Sequence, residues 1–160
     1  MLEEDKKNIA SYFFDKSTAY IDSAISLSEI EGFWNVFPRG DVIGYLFHHS
    51  IELFLKGMIF YKKGNIDKVH KLDLLFEEYT QLYSNFPLPN PFEKEVQYVG
   101  FDDHTIKQLK DKYSMLEQLQ LRYPIDGKNT IYSEIRFYDP EVLKKYREDM
   151  ISLSLNTISM

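Results

Sequence analysis

Asp41-Val-Ile-Gly-Tyr45-Leu-Phe-His-His49-Ser-Ile-Glu52-Leu-Phe-Leu-Lys56-Gly-Met-Ile-Phe-Tyr-Lys-Lys63-Gly64 decides the fold. Its apolar residues surround most of a helix's circumference, the pattern of a rod buried among other elements. Asp41 suits the N-cap and Gly64 the stop. The polar residues are not scattered around this rod. At about 100° per residue, Tyr45, His49, Glu52, Lys56 and Lys63 fall within about 40° of one line. The spacing therefore predicts a central helix over 41–63 carrying one narrow polar stripe. Asp41, His48, His49, Glu52 and Lys56 interrupt the apolar run too often for a membrane span.

The flanking sequence supplies partners for that rod. A first helix is predicted over 5–31, with Ile9, Tyr12, Phe13, Tyr20, Ala24, Leu27 and Ile30 as its apolar stripe. Gly32 opens a break through Trp34, Pro38 and Gly40. After Gly64, a third helix is predicted over 68–84, carrying Leu72, Leu75, Phe76, Tyr79 and Tyr83. Pro87, Pro89 and Pro91 then forbid regular helix. Asp103 fits as the cap of a fourth helix over 104–121, with Ile106, Leu109, Tyr113, Leu116 and Leu119 at bundle spacing. A loop over 122–138 contains Pro124 and Gly127. The last helix starts with Asp139 at the N-cap, Pro140 at N1 and Glu141 in the first turn. Its apolar residues are Val142, Leu143, Tyr146, Met150 and Leu153. Strand patterning, internal repeats and linkers are missing from the sequence, and 160 residues suit one domain. The expectation is an all-α protein, an up-and-down bundle of four to five helices in a single domain spanning 1–160.

Composition narrows the function classes. The chain lacks cysteine, which excludes disulfides and thiolate metal sites and fits a reducing compartment. The charged N-terminal residues contain no apolar run long enough for a signal peptide, so a cytoplasmic protein is expected. A net charge of −6 argues against a protein that coats nucleic acid non-specifically. One local exception is Lys56, Lys62, Lys63, Lys68 and Lys71, opposed only by Asp67 within that stretch. Lysines at a helix end and loop are ordinarily solvated; a phosphate-facing patch is the sharper alternative. Twelve Tyr and twelve Phe point to a core with polar edges, or to surfaces that meet a partner.

The stretch Tyr45-Leu-Phe-His-His-Ser-Ile-Glu-Leu-Phe-Leu-Lys-Gly-Met-Ile, followed by Lys63-Gly-Asn and His70-Lys-Leu-Asp-Leu-Leu-Phe, resembles the HEPN superfamily. Members typically show a His, a Glu three residues on, a Lys four further, then a glycine and His-x-Leu. Here these are His49, Glu52, Lys56, Gly64, and His70 with Leu72. Arg122-Tyr123-Pro124 is similar to a tripeptide frequent further along in many members. The match covers residues 42–84, with 122–124 and the last helix as weaker support. The resemblance implies a helical bundle, often a homodimer. Many members are ribonucleases, toxins or defence proteins, including toxin–antitoxin components. Others are non-catalytic partners of nucleotidyltransferases or bind nucleotides. Catalytic members carry an Arg four to six residues before a His. This chain departs from that pattern: its arginines are 39, 122, 136 and 147, and eight residues separate Arg39 from His48.

The candidate residues carry two readings each. His49, Glu52 and Lys56 share a helix face. They suit either an acid–base pair beside a phosphate-binding lysine or a polar seam in which Glu52 bridges His49 and Lys56. A metal site would need a third ligand such as His70 or Asp103, and no spacing identifies one, so no metal or cofactor is expected. His70 ordinarily packs at the start of its helix. Asp102-Asp103-His104 reads as a helix cap, and Arg122 and Arg136, among Tyr123, Tyr132 and Tyr138, read as surface residues. Taken together, His49, Glu52, Lys56, Lys63, His70, Arg39 and Arg122 are the ligand-binding candidates, with no catalytic residue assigned. The leading expectation is a non-catalytic HEPN-like module binding a partner protein or a nucleotide-like ligand, as a homodimer or with a nucleotidyltransferase-type partner, and with no membrane. The alternative is a divergent ribonuclease acting on RNA through Arg39, His48 or His49, and Glu52.

Overall fold

The computed structural model describes residues 2–32, 39–66, 70–91 and 138–158. Four helices occupy 79% of these residues, without strands among them, so the chain is an all-α helical bundle. They are α1 (Glu3–Ser28), α2 (Arg39–Lys63), α3 (Leu72–Leu82) and α4 (Pro140–Ile158). The helix expected over 104–121 lies outside the described residues. No helix among those described is long and apolar enough to cross a membrane.

The apolar rod read from the sequence is the hub. α2 packs against α1, α3 and α4, and Ile43, Phe47, Ile51, Phe54, Leu55, Met58 and Ile59 are all buried. It ends as its sequence requires. Gly64 adopts φ 76°, and its N–H bonds Phe60 O at 2.7 Å, closing the last turn in a conformation that side chains resist. α4 begins with the expected cap: the Glu141 N–H donates to Asp139 Oδ1 at 2.9 Å.

α1 corrects the expected stripe. Its buried residues are Ala10, Phe14, Ser17, Ile21, Ala24, Ile25 and Ser28, whereas Ile9, Tyr12 and Ile30 are exposed. The inward face is rich in small residues because α1 and α2 approach closely. Ser17 Oγ donates to Ser50 O at 2.8 Å and Ser50 Oγ donates back to Ser17 O at 2.9 Å. About two turns further along α2, a Cβ on Gly57 would stand 2.6 Å from Phe14 Cε1 and 2.9 Å from Phe13 Cβ. Val142 of α4 is likewise exposed, while Leu143 and Met150 are buried.

α3 begins at Leu72, with Lys71 extended before it, and ends at Leu82, a shorter helix than the span expected from the sequence. With eleven residues it is too short to be stable alone. Burial of Leu72, Leu75, Phe76 and Tyr79 against α2 holds it, at about 1.5–3 kcal/mol for each large apolar side chain. The segment after α3 is strapped down by carbonyl groups: Tyr79 Oη donates to Phe86 O, and Tyr146 Oη of α4 donates to Pro89 O at 3.1 Å.

Candidate functional site

Halfway along α2, the polar stripe meets the segment that leads into α3. Glu52 is only 1% exposed, although it is a carboxylate. Burying it unpaired would be prohibitive, so its partners decide what the site is. Lys56, one turn further along, donates from Nζ to Glu52 Oε1 at 2.8 Å. His70, reaching across from the start of α3, places Nδ1 2.8 Å from the same oxygen. An ionised carboxylate only accepts, so the His70 proton is assigned to Nδ1. The 3.3 Å approach of Lys56 Nζ to His70 Nδ1 is then one donor beside another, drawn together by the oxygen they share.

The second carboxylate oxygen faces His49. Its Nδ1 lies 3.5 Å from Glu52 Oε2, within ion-pair reach but long for a hydrogen bond. Both atoms are buried, and neither has a hydrogen-bond partner among the described residues. The His49 ring is held by its neighbours. Tyr45 stacks on it with centroids 5.9 Å apart and an interplanar angle of 6°, and Tyr20 of α1 meets it edge-on at 4.6 Å.

Burial of Glu52 works against its charge. The contacts of His49, Lys56 and His70, reinforced by the Lys56 ammonium, outweigh that and hold the carboxyl well below the usual carboxylate range. Lys56 is itself only 9% exposed. Glu52 is therefore an ionised, buried anchor with Lys56 and His70 on one oxygen and the His49 ring 3.5 Å from the other, poorly suited to accept a further proton as a general base.

The remaining candidates stand apart from this cluster. Lys63 Nζ pairs with Glu78 Oε1 of α3 at 2.6 Å, a second polar tie between α2 and α3. Arg39 opens α2, ten residues before His49, about 15 Å away along the axis at 1.5 Å per residue. His48 is buried about 100° around the helix from His49. The constellation Arg39, His48 or His49, and Glu52 is thus not assembled by α2. Arg122, Asp103 and Arg136 lie outside the described residues. Among those described, no group of three or more His, Asp or Glu side chains is arranged to hold a metal ion.

Two participants escaped the sequence reading. Tyr20 belongs to the apolar stripe of the first helix, but nothing local in the sequence signals that it meets His49. Glu78, the partner of Lys63, carries no signal beyond being an acidic residue on a helix.

An open groove of about 1060 Å³ lies elsewhere, at one end of the bundle, where Lys6, Lys7, Tyr61, Lys62, Tyr83 and Phe86 contribute to its lining. It includes none of the Glu52 cluster. Comparison with models of protein families, with curated proteins and with solved structures yields no match to this chain.

Proposed function

We propose that this chain is a HEPN-like helical module of the cytoplasm that binds a partner protein or a nucleotide-like ligand, and that performs no chemistry of its own. The observation that carries this reading is the occupation of Glu52. A carboxylate already bonded to Lys56 and His70 does not readily accept a substrate proton. Of the residues that carry the family resemblance, Glu52 and Lys56 of α2 meet His70 just ahead of α3, and His49 packs between Tyr45 and Tyr20. The resemblance further favours a homodimer or a nucleotidyltransferase-type partner.

One observation favours the ribonuclease reading. Two imidazoles, His49 and His70, stand at opposite oxygens of one carboxylate with an ammonium beside them, and metal-free RNA cleavage uses an acid, a base and a cation. Incubation of the purified protein with single-stranded RNA in a metal chelator separates the two. A binding module leaves the RNA at the level of the buffer control, while nucleotides or a co-expressed partner raise its melting temperature. Cleavage that co-purifies with the protein and disappears in both His49→Ala and His70→Ala overturns the binding reading.

A further inference from the structure

We draw no further inference here: the strongest candidate, the groove at the bundle end lined by Lys6, Lys7, Tyr61, Lys62 and Phe86, carries charges of both signs through Glu3 and Glu4, and nothing in the structure shows what would fill it.

Discussion

Replacing Glu52 by Ala removes the carboxylate that pairs with Lys56 among the described residues. The magnitude follows from the burial of each partner. Lys56 keeps only 11% of its side chain exposed, so its ammonium would remain largely desolvated and unpaired. Breaking a buried pair from one side costs about 3–5 kcal/mol. His70 adds little to this, because with 64% of its side chain exposed it can turn to water, and an exposed pair is worth about 1 kcal/mol or less. The lysine stem gives some of the cost back by snorkelling toward solvent. The expected loss is therefore near the lower bound, about 3 kcal/mol. At roughly 2–4 °C per kcal/mol for a protein of this size, the melting temperature should fall by about 6–12 °C. Glu52→Gln keeps one acceptor for Lys56 and should lose less. Urea unfolding at neutral pH, followed by far-ultraviolet circular dichroism, measures both variants. A loss under about 1 kcal/mol for Glu52→Ala would refute the reasoning, because it would mean that the stripe is wet.

Acid should act on the same tie. The folded carboxyl of Glu52 titrates below its unfolded value of 4.5, so its contribution is present above that pH and fades as pH falls beneath it; acid unfolding of Glu52→Gln should lack this component. At the alkaline end, burial pushes the Tyr83 hydroxyl up to about 12, so its contribution is present below pH 10 and is lost as pH rises from there toward 12, readable by tyrosinate absorbance. Gly57→Ala should destabilise by about 1–2 kcal/mol despite alanine's better helix propensity, since its Cβ meets the Phe14 ring; an unchanged midpoint in urea would contradict the close approach of α1 and α2. Ser17→Ala should cost about 1 kcal/mol by removing the hydroxyl that donates to Ser50 O, while Ser50 Oγ keeps its bond to the Ser17 backbone carbonyl; because the two hydroxyls also touch at 3.2 Å, the double variant with Ser50→Ala should depart from additivity, measured by the same unfolding curves.

The helices were legible where the chain punctuates itself. Asp139-Pro140-Glu141 fixed the start of α4, and Gly64 fixed the end of α2, because caps and stops are local chemistry. The register of α1 was not legible. A stripe search follows large apolar residues, whereas the contact with α2 selects Ala10, Ser17 and Ala24 for their size and sends Ile9 and Tyr12 outward. Ser17 sits on that face because Ser50 lies opposite, and the Phe14 ring fits because Gly57 leaves it room, neither of which periodicity within one helix can reveal. The candidate site divides in the same way. The alignment of His49, Glu52 and Lys56 is helix geometry and could be read directly. The arrival of His70, eighteen residues after Glu52 in sequence, depends on tertiary packing that helix periodicity does not contain. The pairing of Lys63 with Glu78 depends on the packing of α3 against α2.

A double-mutant cycle on Glu52 and Lys56 tests most directly whether the stripe is a closed structural tie. Glu52→Ala strands a buried ammonium, Lys56→Met leaves the buried carboxylate with only the two imidazoles, His70 at 2.8 Å and His49 at 3.5 Å, and the double variant removes both charges, so urea unfolding of all four proteins isolates the coupling. The expected result is a coupling of about 2–3 kcal/mol, with the double variant more stable than Glu52→Ala alone. Additive losses, with coupling indistinguishable from zero, would show that Glu52 and Lys56 do not hold one another, and the site would then be a wet cleft with both groups available to a ligand.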